Sequence, residues 1–421
     1  MSNPIQALHA LGQSLWYDNI QRRLLENGEL AEMIRRGDIR GITSNPSIFH
    51  NAIAKSSDYD AALKPMAWAN WSAEDIFFQL AVEDIQAAAD CFLPLYQSTA
   101  GGDGYVSLEV SPYLAHDTEA TFQQALALRS RVNRPNLMVK IPATKAGLPA
   151  IRKAIAAGIN VNVTLIFSIQ RYMEVMDAYL SGLEDRLAAG LPLGEIASVA
   201  SFFVSRVDSK VDSLLQKAAS RNPAQAEQIS GLLGKAAVAN SRLAFFKFQE
   251  VFSSPRFQAL QNQGAKPQRA LWASTSTKNP AYRDVLYVEE LIAPQTVNTV
   301  PPQTIDLFRD HGRAALTIQG REAEAQETLA AIEKWGVSMD TVTQELEDEG
   351  VKAFSDAFTA LLDTIRERCR AEQAALGALA DVTAQAISGL EKAQTSRRIA
   401  EHDPSLWTDD PAGRDEVRKR L

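Results

Sequence analysis

Cysteine and histidine are scarce in this chain. Two cysteines, Cys91 and Cys369, lie far apart in helical patterns among 421 residues, which excludes a disulfide framework and suits a reducing compartment. The five histidines are scattered, so no zinc-ligand spacing forms. No apolar run approaches the length needed to span a bilayer. The opening stretch, MSNPIQALHALGQSLWYDN, lacks the basic and apolar regions of a secretory signal, and a cytoplasmic protein is expected. Excess positive charge is also missing: the net charge of −8 argues against binding nucleic acid or an anionic membrane. Glycine-rich phosphate loops are absent in the useful places. GLLGKAA around Lys235 has no Ser or Thr after the lysine, so it fails as a P-loop. AGGDG at 100–104 reads only as a turn before a strand, and no dinucleotide fingerprint follows the first strand.

What is present is alternation. Short apolar runs at 14–18, 39–45, 105–110, 137–141, 160–166, 198–204, 269–274 and 296–301 read as strands. Longer amphipathic stretches separate them. One opens with Ser72 as N-cap and Asp75 three residues on, a carboxylate analogue of the capping box. Eight strands alternating with helices predict a TIM (β/α)8 barrel, with a doubly wound sheet as the rival. After about residue 302 only helices follow, so the barrel carries additional C-terminal helices. We divide the chain into a barrel with C-terminal helices over 1–365 and a helical extension with a polar tail over 366–421. The stretch from about 393 reads as a tail or short extra helices.

The polar residues of three consecutive strands each keep to one face. Ser107 and Glu109 oppose Val106, Leu108 and Val110; Met138 and Lys140 oppose Val139 and Ile141; Asn160, Asn162 and Thr164 oppose Val161, Val163 and Leu165. Asp18 and Asn45 end the first two strands, and Ser201 and Ser274 come late in the sixth and seventh. Barrels of this kind place their active sites at the C-terminal ends of the strands. Each residue alone has an ordinary explanation. A strand lysine can snorkel or pair, Glu109 can be only its partner, and Asp18 can be a turn residue. Shared parity and shared strand ends together favour a site built around a buried Lys140.

The ordered series DNI, TSNPSIF, SLEVSP, VKIPAT, NVNVTLIFS, SFFVSR and LWASTSTKNP resembles the transaldolase family, most closely its longer bacterial type. The resemblance covers roughly residues 5 to 365. It implies transfer of a dihydroxyacetone unit between sugar phosphates. Sedoheptulose 7-phosphate and glyceraldehyde 3-phosphate would give erythrose 4-phosphate and fructose 6-phosphate, with no metal or organic cofactor. In that family the Schiff-base lysine lies on the fourth strand, as Lys140 does here. The chemistry needs a neutral amine to attack a ketone, which a dry barrel interior favours. By resemblance, Asp18 is the general base, and Glu109 and Thr164 hold a catalytic water. Asn45, Asn162 and Ser201 bind the hydroxyls of the three-carbon unit, and Arg206 binds the phosphate. Ser274 matches the family pattern after strand seven, but the arginine expected two residues later is absent, and Lys278 is the candidate replacement. The expected partners are sugar phosphates, with the chain a monomer or homodimer. Two alternatives stay open: a fructose-6-phosphate aldolase releasing free dihydroxyacetone, and a non-catalytic barrel that binds sugar phosphates.

Overall fold

A computed structural model describes residues 3–420. Eight strands form one closed, parallel barrel in sequence order. They are β1 (Gln13–Asp18), β2 (Gly41–Thr43), β3 (Tyr105–Glu109), β4 (Leu137–Pro142), β5 (Val161–Ile166), β6 (Ser198–Phe203), β7 (Arg269–Ala273) and β8 (Thr296–Val300). Closure comes from β8 pairing with β1, so no edge is left exposed. All eight predicted strands are present. The second is shorter than the 39–45 expected, for a local reason. Asn45 accepts hydrogen bonds from Ile48 N through both its side chain and its backbone carbonyl, and Pro46 begins the helix Pro46–Ala54. Proline at a first helical position costs no hydrogen bond, so the chain leaves the sheet early.

Helices cover the outside of the barrel, and local sequence sets their ends. Asp117 caps Thr118–Val132 by accepting from Ala120 N, and Asn133 ends that helix in the left-handed region at φ 46°. Ser168 caps Ile169–Ala188 in the same way. The predicted Ser72 cap is formed, with Asp75 N donating to Ser72 Oγ at 3.1 Å.

Alternation along each strand sets which side chains point into the barrel. At the N-terminal end Trp16 lies flat where a side chain on Gly41 would stand: a Cβ there would meet the indole at 2.6 Å. Asp103, just before β3, accepts from Ser14 at 2.7 Å and from the Trp16 indole at 3.3 Å, and pairs with Arg40 and Arg269. This closes the end of the barrel opposite the predicted site.

The chain makes two compact units. One comprises Met1–Ala52 with Ala81–Thr359 and contains the whole barrel; the other comprises Ile53–Leu80 with Ala360–Leu421. Within the second unit, Arg368 donates to Asp60 at 2.8 Å and to the Ser56 carbonyl at 2.9 Å, and Gln373 donates to the Ala67 carbonyl at 2.8 Å. Its C-terminal stretch is helical at Thr395–Ala400 and Pro411–Arg420. Among the described residues, no helix is long and apolar enough to cross a membrane.

Candidate active site

Strand register builds the site. Glu109 on β3 is aligned with Lys140 on β4, and Lys140 with Asn162 on β5. Three neighbouring strands therefore present a carboxylate, an amine and an amide at one level, all on the inward face. Lys140 is only 6% exposed. Its Nζ donates to the Ser44 carbonyl at 3.0 Å and lies 3.7 Å from Glu109 Oε2. The Phe354 ring centroid is 6.0 Å from the same nitrogen.

These groups sit at a cavity of about 180 Å³. Asp18, Asn45, Lys140, Thr164, Ser201, Arg206, Ser274 and Lys278 all line it. The other two predicted residues stand behind that wall. Glu109 pairs with Lys140, while the fully buried Asn162 accepts from Ser201 Oγ at 2.7 Å and donates to Ser107 Oγ at 3.1 Å. The Ser201–Asn162–Ser107 chain holds each polar group in one rotamer, as a buried network must.

Burial shapes the acid–base groups. The Glu109 carboxyl is pushed up to about 7, mainly by desolvation; the charge on Lys140 opposes the shift and Asp18 adds to it. Asp18 keeps an open edge on the cavity but is packed on its other sides. Desolvation raises its pKa, while Lys140 and the hydrogen bond from Thr43 work against that. Thr43 Oγ1 donates to Asp18 at 2.7 Å and is 2.6 Å from Thr299 Oγ1. Among the described residues, Glu109 Oε2 and Thr164 Oγ1 are buried without a hydrogen-bond partner. Buried polar atoms need partners, so both are suited to a water or a substrate oxygen.

At the mouth, β6 and β7 are stitched together. Ser205 N donates to the Ser274 carbonyl at 3.0 Å, and the two hydroxyls are 3.0 Å apart. Ser274 has φ 56°, a strained value for a residue with a side chain. Arg206 lies in the first turn of the helix Ser205–Arg221, its guanidinium 5.2 Å from the centre of the Phe203 ring. It forms no ion pair among the described residues. The nearby Asp208 and Asp212 are engaged elsewhere. Asp208 takes Ala237 N at 2.7 Å and the Tyr287 hydroxyl at 2.8 Å; Asp212 takes Gly234 N at 2.9 Å and the Tyr282 hydroxyl at 2.7 Å. Lys278 is exposed and donates to Ser276 Oγ at 2.8 Å.

Sequence reasoning missed several residues here. Thr43 has the same parity as Asn45 in the expected 39–45 run, and Thr299 comes late on β8, so alternation and strand-end position were the available signals. Phe354 had no such signal, because it comes from a helix beyond the barrel strands. Alternation also fails at Leu165. That residue adopts φ 60°, and the β5–β6 register shifts between Val163 and Ile166. Among the described residues, no group of three or more His, Cys, Asp or Glu side chains is arranged to hold a metal.

Comparison with known proteins bears on this arrangement. The model of the family described as transaldolase/fructose-6-phosphate aldolase matches residues 15–365. The chain is 49% identical over 378 residues to a protein named Transaldolase 1 from Streptomyces avermitilis, covering 89% of this chain and 98% of that one. It is 50% identical over 372 residues to a transaldolase of Thermobifida fusca, covering 88% and 100%. It is 43% identical over 374 residues to a transaldolase of Trichodesmium erythraeum, covering 88% and 98%.

Proposed function

The chain belongs to the transaldolase/fructose-6-phosphate aldolase family and is an enzyme with transaldolase activity, and we propose that Lys140 carries this activity as a Schiff base. The observation that supports the reading best is a lysine 6% exposed, aligned with Glu109 and opening on the cavity that Asp18 also lines. A buried amine among hydrogen-bonding groups is poised to add to a ketone.

In this reading the Lys140 amine, once deprotonated, attacks C2 of a ketose phosphate, such as sedoheptulose 7-phosphate or fructose 6-phosphate. Loss of water gives an iminium. Glu109, whose carboxyl titrates near neutrality, relays the protons of that step through a water it shares with Thr164. Asp18 then takes the proton of the C4 hydroxyl. The C3–C4 bond breaks, its electrons flow to the iminium, and the first aldose phosphate leaves. The three-carbon enamine stays on Lys140, with Asn45, Asn162 and Ser201 around its hydroxyls. An acceptor aldehyde, such as glyceraldehyde 3-phosphate or erythrose 4-phosphate, is then attacked, and the steps run in reverse. Arg206 and Lys278 hold the phosphate. A cytoplasmic setting fits Cys91 and Cys369, which are both free thiols.

The test is borohydride reduction in the presence of fructose 6-phosphate, followed by peptide mass spectrometry. A reduced three-carbon adduct is expected on the peptide containing Lys140; an adduct on Lys145 or Lys153 instead overturns the assignment. Lys140→Arg is expected to be inactive, because a guanidinium does not deprotonate in proteins. Turnover of fructose 6-phosphate that needs erythrose 4-phosphate marks a transferase, whereas turnover without it marks an aldolase.

A further inference from the structure

We propose that Phe354 keeps water from the covalent intermediate and thereby sets the balance between transfer and release. This inference rests on the reading of Lys140 as the Schiff-base residue. Phe354 belongs to the helix Met339–Leu376, outside all eight strands, yet it lines the cavity and is only 7% exposed. Its ring centroid is 6.0 Å from Lys140 Nζ.

The residues on either side of Phe354 are fixed from several directions. Arg171, on the helix after β5, pairs with Glu347 at 3.2 Å, and both side chains are largely buried. Lys210, on the helix after β6, pairs with Glu345 at 2.7 Å and Glu349 at 2.5 Å. Tyr113, after β3, shares a hydrogen bond of 2.7 Å with Thr359. Gly350, one turn before Phe354, makes the closest approach. A Cβ there would lie 3.0 Å from Leu165 Cδ2, so the missing side chain lets this helix lie against the end of β5. Leu165 is the residue held at φ 60° just after Thr164. The irregularity in β5 and the glycine in the helix fit each other, and Phe354 follows at i+4 on the same helical face.

The chemistry gives this placement a purpose. After C3–C4 cleavage the enamine has two fates. It can attack an acceptor aldehyde, forming a new C–C bond. Alternatively, its nucleophilic carbon takes a proton from water. A second water then adds at C2 and the C–N bond breaks, freeing dihydroxyacetone and regenerating the amine. A transferase has to suppress the second path while one aldehyde leaves and the next arrives. The Phe354 ring fills space beside Lys140 that water would otherwise occupy, and its face favours the iminium cation.

The experiment compares wild type, Phe354→Ala and Phe354→Leu on fructose 6-phosphate with erythrose 4-phosphate. Free dihydroxyacetone is measured against sedoheptulose 7-phosphate. Circular dichroism and thermal melts establish folding. The ratio of release to transfer is expected to rise about tenfold or more in Phe354→Ala, and by a smaller factor in Phe354→Leu, which keeps apolar bulk but loses the ring. A residue that only packs the helix would lower both rates together and leave the ratio alone. An unchanged ratio in either folded variant overturns the proposal. Borohydride trapping on the same wild-type sample separates the two readings. An adduct on Lys140 with an unchanged ratio defeats only the role of Phe354; no adduct on Lys140 defeats both.

Discussion

Glu109 and Lys140 face each other in register on adjacent strands, with Oε2 3.7 Å from Nζ and each side chain 7% exposed. A carboxyl in such a place is torn between two influences. Desolvation favours its neutral form and the lysine favours its charged form; desolvation is the larger, and the carboxyl titrates at about 7.

That shift makes stability depend on pH. The folded-state pKa of Glu109 is above its ordinary value of 4.5, so between 4.5 and about 7 the folded chain holds more proton than the unfolded one. Stability from this group is full below pH 4.5 and falls as pH rises through 7, by roughly 3 kcal/mol at most. Glu109→Gln removes the titration. The variant is expected to lose less stability than wild type between pH 5 and pH 8 in denaturant titrations. Parallel curves for the two proteins would show that Glu109 titrates normally.

Asp18 occupies the cavity wall with its orientation set by Thr43 at 2.7 Å. In the proposed mechanism it acts at carbon–carbon cleavage rather than at imine formation. Asp18→Asn is expected still to trap substrate on Lys140 under borohydride while turning over on the order of a hundredfold more slowly. Normal turnover would remove Asp18 from the mechanism; loss of trapping would move it to the imine step.

Much of this site was legible because a barrel strand has only two faces. Once Lys140 is given an inward direction, parity assigns Glu109, Asn162 and Thr164 without any knowledge of distance. The strand ends do the same for Asp18, Asn45 and Ser201. Alternation does not say which inward residues meet the cavity and which stand behind it, so the places of Glu109 and Asn162 behind the wall follow only from the tertiary fold. It also breaks where a residue takes positive φ, as at Leu165. Contacts between distant segments leave no periodic trace. The second unit joins Ile53–Leu80 to Ala360–Leu421, and Phe354 reaches Lys140 from more than two hundred positions along the chain. Such pairings depend on tertiary packing, which a window of neighbouring residues does not encode.

The tail offers a separate test. The side chains that line the site cavity all precede residue 355. Residues 393–420 include short helices, and Ile399 and Trp407 there are each 52% exposed. Few apolar groups are buried there, so little of the fold's stability depends on them. A chain truncated after Lys392 is expected to fold and keep its kcat within a few-fold of the full chain. Inactivity in a truncated protein with a normal circular dichroism spectrum would assign the tail a part in catalysis.

Arg206 is the sharpest test of substrate choice. An arginine next to two aspartates on one helix would ordinarily be expected to pair with them, and such a pair contributes little at a surface. Here Asp208 and Asp212 spend their oxygens on backbone amides and tyrosine hydroxyls instead, leaving the guanidinium to the cavity. Burial disfavours its charge, so an anion in the cavity would relieve a cost already present. A guanidinium matches phosphate with two parallel hydrogen bonds, each stronger than a neutral one. Losing such a contact costs about 1.5–3 kcal/mol, so Arg206→Ala is expected to raise KM for fructose 6-phosphate by roughly ten- to a hundredfold. KM for unphosphorylated fructose should change far less. Lys278→Ala is expected to shift KM in the same direction but by a smaller factor, since that lysine is exposed and already donates to Ser276 at 2.8 Å. Equal effects of Arg206→Ala on the two sugars would mean that the arginine supports the fold and that the phosphate is held elsewhere. If Lys278→Ala leaves both values unchanged, Arg206 binds the phosphate alone.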